Sequence, residues 1–187
     1  MHPRQTLWYS GVVILLLMIA TAFFGYVLPW GQMSFWGAMV ITSLFGAIPL
    51  VGPDIMFLLW GGFTIGDVTL HRFYVLHFLC PFIIVFVVVF HLLLLHSYGS
   101  NNPLGISSHL DSKPILKYYG LKDTLTIVIV LGFIILVITY SPGLFGHSDN
   151  YIEANALVTP SHILTEWYFL FMYEVFLCVI IIFFVIF

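Results

Sequence analysis

Three histidines interrupt the stretch Phe73 to His96, FYVLHFLCPFIIVFVVVFHLLLLH, a run without a single Asp, Glu, Lys or Arg. Between His77 and His91 a helix completes about four turns, at about 100° and 1.5 Å per residue. The two side chains therefore return to within about 40° of one another, separated by about 21 Å along the axis. Two imidazoles line one stripe of a helix at two depths. A histidine inside an apolar span is costly unless it faces the protein interior and finds a partner. One reading is a hydrogen bond to a neighbouring helix. The other follows from imidazole being the usual axial ligand of haem iron, since a helix with two at different depths can hold two haems stacked through a membrane. His96, little more than a turn beyond His91, points about 140° away from that stripe and needs a separate account. Glu166, in Leu164-Thr165-Glu166-Trp167-Tyr168, is a carboxylate among aromatic residues. Apolar surroundings raise the pKa of a carboxyl, which lets it accept a proton near neutral pH; a water-exposed interfacial acid is the alternative.

The elements that must position these groups are membrane helices. The chain is 61% hydrophobic and 7% charged, with a mean hydropathy of +1.11, against roughly 25% charged residues in a soluble domain. The sequence predicts one all-α membrane domain over residues 1–187, a polytopic bundle of three to four spans with short interfacial helices between them. Phe73 to His96 is long enough to cross a hydrocarbon core of about 30 Å. Leu7 to Leu28 is a second span, ending at Pro29, and carries Gly11 and Gly25 at the same interval as His77 and His91. Glycines in membrane helices mark close packing; here the shared interval also suits a wall without side chains against two flat macrocycles. Thr124 to Ser141 is a third span, at the lower limit of length, and Tyr168 to Phe187 is a fourth apolar run of spanning length. Between Pro29 and Leu70 glycines and prolines leave no uninterrupted span, so Trp30, Trp36 and Trp60 are placed on short helices at the membrane surface. Pro81 predicts a local kink beside His77.

Charge sets the orientation. Arg4, Lys113, Lys117 and Lys122 are all but one of the basic residues and fall on one side, which the positive-inside rule makes cytoplasmic or matrix. Arg72 stands at the opposite end of the histidine helix, where it either snorkels to the interface or pairs with a haem propionate. A net charge of −3 argues against a nucleic-acid partner. Cys80 and Cys178 lie in apolar runs and read as small buried hydrophobes.

The segments GYVLPWGQMSFWGAMVIT, RFYVLHFLCPFI, FHLLLLHSYGSNNPLG and TEWYFL resemble cytochrome b of the respiratory ubiquinol–cytochrome c oxidoreductase from about Pro3 to Tyr173. The resemblance implies an electron-transfer subunit of an electrogenic complex, with two haem b groups, ubiquinol and ubiquinone as substrates, and the mitochondrial inner membrane as the site of residence in preference to a bacterial plasma membrane. It implies that His77 and His91 ligate the haem irons, that Gly11 and Gly25 lie against the haems, and that GQMSFWGAMVIT roofs a quinol-oxidation pocket. That pocket is lined by Tyr26 and Tyr173 and served by Glu166, for which aromatic packing is the alternative role of the two tyrosines. Thr165 stands where the family's Pro-Glu-Trp-Tyr motif has proline, loosening the backbone before Glu166. His96, with Ser100, Lys122 and Asp123, is implied to bind quinone on the matrix side. The implied partners are iron–sulfur and cytochrome c1-type subunits in a dimeric complex.

Low-spin haem held by two histidines needs one imidazole on each face of the ring, so two haems require four. His77 and His91 supply two. The resemblance puts the opposing pair on a helix before this sequence's first span. The chain is therefore read as one piece of a divided cytochrome b, assembled with a complementary fragment that carries two histidines at a matching interval; an incomplete sequence of an undivided chain is the alternative. A plastid counterpart is set aside because its ligands on this helix stand one position further apart. A non-redox or degenerate membrane subunit that keeps the motif without haem remains the second reading.

Overall fold

The computed structural model describes residues 4–107, 109–110, 113–163, 166–171, 173–175 and 177–178. The chain forms two compact units, Met1–Tyr98 with His147–Phe187, and Gly99–Gly146. The described residues are mostly helical, and three helices are long and apolar enough to cross a membrane: Gln5–Val27, Asp67–Tyr98 and Ile115–Tyr140. Thr165 and the distal part of the fourth apolar run, 179–187, lie outside the described residues.

In the first unit, α1 (Gln5–Val27) and α4 (Asp67–Tyr98) run antiparallel. Contacts at both ends and in the middle fix the register: Arg4 donates to the Tyr98 carbonyl (3.4 Å), Ser10 meets His91 and the Thr21 carbonyl meets His77. α4 extends further toward its N-terminus than the apolar stretch beginning at Phe73. Its first turn carries Asp67, whose charge complements the exposed N–H groups there. Arg72 thus sits inside the helix. The helix also passes through Pro81, which cannot donate to the carbonyl of His77.

Between these helices the chain folds into α2 (Gln32–Ser43), a 3-10 turn (Leu44–Ala47) and α3 (Gly52–Trp60). α3 begins with Gly52-Pro53 and an acid, Asp54, in its first turn, and stops at Gly61, whose φ of 71° only glycine adopts freely. Val27, Phe35, Ala38, Ile65 and Phe73 form the buried core where α1, α2 and α4 meet. Polar atoms inside it are paired in sequence. The Trp60 Nε1 donates to Thr42 Oγ1 (2.7 Å), Thr42 donates to the Ala38 carbonyl (2.6 Å), and Thr69 donates to the Trp60 carbonyl (2.7 Å). This chain of bonds ties α2, α3 and the start of α4 together. Elsewhere α4 presents uncovered apolar side chains, Phe86 being 74% exposed, as expected of a helix that meets lipid or further helices.

The remainder of the first unit is irregular up to Glu166, and its described residues from Leu170 to Cys178 are helical. A 3-10 turn, Ser148–Tyr151, precedes an extended segment whose Glu153 forms an isolated antiparallel bridge with Gly31. A second 3-10 turn, Trp167–Phe169, follows Glu166. In the second unit a π-helical turn, Ile115–Tyr119, runs into α5 (Gly120–Tyr140). The helix therefore begins before Thr124, with Asp123 in its first turn and the Lys122 ammonium 4.5 Å from the centre of the Tyr118 ring.

Trp60→Phe removes the donor to a buried threonine while keeping an aromatic ring in its place, with some loss of packed volume. It should destabilise the fold by about 1–2 kcal/mol, measured as a lower unfolding midpoint in detergent; an unchanged midpoint would show that the Thr42 bond is dispensable.

Candidate functional site

His77 and His91 both face α1, and each is held by its Nδ1. His77 Nδ1 lies 2.8 Å from the Thr21 carbonyl, which can only accept, so Nδ1 carries the proton. His91 Nδ1 lies 2.7 Å from Ser10 Oγ, and Ser10 gives its own proton to the Leu7 carbonyl (2.8 Å). The hydroxyl therefore accepts from His91. In both rings the second nitrogen, Nε2, is left with its lone pair. Fixing the tautomer through the far nitrogen is how proteins orient a metal-ligating imidazole.

The glycine interval has a geometric counterpart. A Cβ on Gly25 would collide with His77 Cε1 and stand 2.9 Å from Nδ1 and 3.1 Å from Nε2; on Gly11 it would stand 3.4 Å from His91 Cε1. Each glycine seats one imidazole. The sequence reading reserved these positions for the face of a macrocycle; what lies against them in this structure is the edge of the histidine ring. The tighter fit at Gly25 follows from His77 hydrogen-bonding to backbone, whereas a serine side chain intervenes at His91.

The donor set fits one haem ligand at each of two depths: an imidazole with Nδ1 engaged, Nε2 turned away from that bond, and an orientation imposed by α1. Arg72, predicted to snorkel or pair with a propionate, is exposed and donates to the Leu58 carbonyl at the end of α3.

At the Val27 end of α1 the Tyr26 hydroxyl donates to Glu166 Oε1 at 3.1 Å, across 140 residues of sequence. Phe169 is buried beside them, its ring centre 6.2 Å from that of Tyr26. Adjacent is an almost wholly apolar cavity of about 250 Å³, lined among others by Ile19, Phe23, Ile41, Phe73, Phe169 and Tyr173. The structure thus brings Tyr26 and Glu166 into contact and places Tyr173 on the cavity wall. An apolar pocket with a few polar groups at its edge is the usual form of a small-molecule site. At the other end, His96 is exposed in the last turn of α4. Ser100, Lys122 and Asp123 belong to the second unit.

Ser10 and Thr21 were not singled out in the sequence. Ser10 precedes one seating glycine, and Thr21 lies one turn before the other, but the bond that the Thr21 backbone carbonyl accepts leaves no mark on residue type.

The fold is that of a multi-pass helical membrane protein. The family description "Cytochrome b(N-terminal)/b6/petB" matches residues 1–148 and "Cytochrome b(C-terminal)/b6/petD" matches 153–184. Proteins named cytochrome b from Phytophthora megasperma and Marchantia polymorpha are each 56% identical over 92% of this chain, covering 45% and 43% of their own lengths. One from Rickettsia prowazekii is 55% identical, again over 92% of this chain and 44% of its own length. A solved "Hyperthermophilic respiratory Complex III" superposes with a TM-score of 0.80 at 34% identity, covering 93% of this chain and 48% of that one. The chain belongs to the cytochrome b family, and it spans a little under half the length of these relatives.

The two glycine seats should respond unequally. Gly25→Ala forces His77 off the Thr21 carbonyl, whereas Gly11→Ala, with 3.4 Å available, leaves His91 in place; if each ring ligates a haem, the first change should abolish or shift one b-type absorption component and the second should not. Equal spectra for the two variants would contradict the seating described here.

Proposed function

We propose that this chain is an electron-transfer subunit of a ubiquinol–cytochrome c oxidoreductase, ligating one face of each of two b haems through Nε2 of His77 and His91. The observation that carries this reading is the pair of imidazoles with Nδ1 engaged on α1 and Nε2 free, at two depths of one apolar helix. When bound, haem supplies one-electron transfer between the two depths. The chain's own residues do the rest. Thr21 and Ser10 hold the rings in the ligating tautomer, Gly25 and Gly11 admit them, and the apolar spans exclude water. The opposing imidazole at each depth would come from another chain or segment of the assembly, and Arg72, near the start of α4, would leave the Leu58 carbonyl to pair with a propionate.

Quinol oxidation is assigned to the apolar cavity beside Tyr26, Glu166 and Tyr173. Oxidising a quinol releases two electrons and two protons. Glu166 accepts one proton at its carboxylate and the other leaves to water at that membrane face, while the Tyr26 hydroxyl, donating to Oε1, orients the carboxylate. One electron would leave to an iron–sulfur partner, and the other would cross the membrane by way of the groups that His77 and His91 would hold. Quinone reduction is assigned to the Tyr98 end of α4, where His96 stands. Protons released at one end and taken up at the other make the cycle electrogenic. The partners are iron–sulfur and c1-type subunits in a dimeric complex of the mitochondrial inner membrane.

Reduced-minus-oxidised spectra of the assembled complex test the haem assignment. His77→Leu and His91→Leu should each remove one of two b-type components, and the absence of b-type bands in the unmodified complex would overturn the redox reading. For the quinol site, Glu166→Gln should slow quinol oxidation by roughly 100-fold, the scale of a lost proton acceptor, while both haems stay bound. An unchanged rate between about pH 6 and 8 would remove Glu166 from the reaction.

A further inference from the structure

The carboxylate of Glu166 is carried by an irregular segment, and that segment is held by α2 rather than by itself. After the 3-10 turn Ser148–Tyr151, the chain from Ile152 to Val158 has no regular structure beyond a single bridge, and it closes on itself only around Asn155, where Leu157 N–H reaches Asn155 Oδ1 (2.9 Å) and Val158 N–H the Asn155 carbonyl (3.3 Å). Its partners come from the joint between α1 and α2, Trp30 to Ser34. The Trp30 carbonyl accepts from Ala154 N (3.0 Å), and Gln32 N donates to the Ile152 carbonyl (2.9 Å). The Gln32 amide uses both of its ends, donating from Nε2 to the Val158 carbonyl (3.0 Å) and accepting at Oε1 from Asn155 N (2.9 Å). Ser34 N donates to Asn150 Oδ1 (2.8 Å), and the Ser34 hydroxyl shares its proton between Asn150 Oδ1 (2.9 Å) and the Tyr26 carbonyl (2.8 Å).

Both side chains are sealed in: Gln32 is 6% exposed and Ser34 fully buried. Loss of Gln32 removes the two side-chain bonds that hold Asn155 and Val158 on α2, and loss of the Ser34 hydroxyl removes one that holds Asn150 and leaves the Tyr26 carbonyl without it. The joint itself is closely fitted. Trp30 holds a left-handed φ of 53°, unusual for a residue with a side chain, and a Cβ on Gly31 would run into the Asn150 carbonyl. Ser34 ends on the backbone of Tyr26, the residue whose hydroxyl reaches Glu166. The segment is therefore anchored to the same turn of α1 that presents the phenol, and it leads along the chain to the acid.

We infer that Gln32 and Ser34 are positioning residues for quinol oxidation, fixing segment 150–158 to the α1–α2 joint so that Glu166 stays on Tyr26 beside the cavity. The inference rests on the reading of Glu166 as the proton acceptor. The two side chains touch neither substrate nor cofactor; they act through Glu166, and their removal alters turnover more than binding.

The test uses Gln32→Met, which keeps volume but removes both amide bonds, and Ser34→Ala, each in the assembled membrane complex. Each should lower kcat for quinol oxidation by about 10-fold or more, as a small misplacement of a reacting group does, with KM within about twofold and an unchanged b-haem spectrum. In a Glu166→Gln background the same substitutions should cost less than about twofold further, because they act through the group already removed. Wild-type kcat in both single variants overturns the inference, and so does a full, multiplicative loss on top of Glu166→Gln. Loss of the haem spectrum in both variants overturns it in favour of a folding role. If Glu166→Gln alone has wild-type turnover, the failure lies in the assignment of Glu166, and the inference falls with it.

Discussion

The register between α1 and α4 is the constraint on which the rest of the structure depends. Lipid offers little hydrophobic drive for two apolar helices to associate, so the pair relies on close backbone approach and on polar bonds between helices. Both occur at the same two levels. Gly25 and Gly11 admit the rings of His77 and His91, and Thr21 and Ser10 bond to them. Because both helices advance equally per residue, the interval from Gly11 to Gly25 on one matches the equal interval from His77 to His91 on the other. Sliding either helix by a single position would break both seats together. The same pins that join the helices set the tautomer of each imidazole, so packing and ligand orientation are one interaction.

From that pair the structure builds outward at one end. The turn after α1 leads into α2, whose N-terminal residues bind the segment preceding Glu166, while Trp60, Thr42 and Thr69 lock α3 onto the start of α4. The cavity lies where these pieces meet, walled by the same Phe23 and Phe73 that pack in and around the core. Its shape is thus a by-product of how two long helices are capped by two short ones. Its wall includes Thr42 and Tyr173, and Phe169, which lines it, also packs against Tyr26, the partner of Glu166.

The parts of this arrangement that were legible in the sequence are those governed by helical period. The interval between His77 and His91 converts directly to a shared face, and the equal interval between Gly11 and Gly25 identifies the facing helix. The breaks between Pro29 and Leu70 predict short helices, and α2 and α3 are found there. Helix ends were less legible. Apolar content marks where a helix can meet lipid, but the backbone continues through Asp67 to Arg72 and through Lys122 and Asp123 because charge at a helix end is no obstacle. Long-range pairings were not legible from periodicity at all. Tyr26 and Glu166 were grouped only through resemblance to a family, and Gln32 with Asn155 and Ser34 with Asn150 use backbone groups that every residue carries.

The central claim is that α1 orients His77 and His91 so that Nε2 of each is the haem ligand. The measurement that bears on it most directly is the position of each haem iron in a density map of the assembled complex. The account predicts iron at a coordinate-bond distance of about 2 Å from Nε2 of both residues, with Nδ1 of His77 still on the Thr21 carbonyl and Nδ1 of His91 still on Ser10. Iron bound to Nδ1, or held by side chains other than these two histidines, would contradict it.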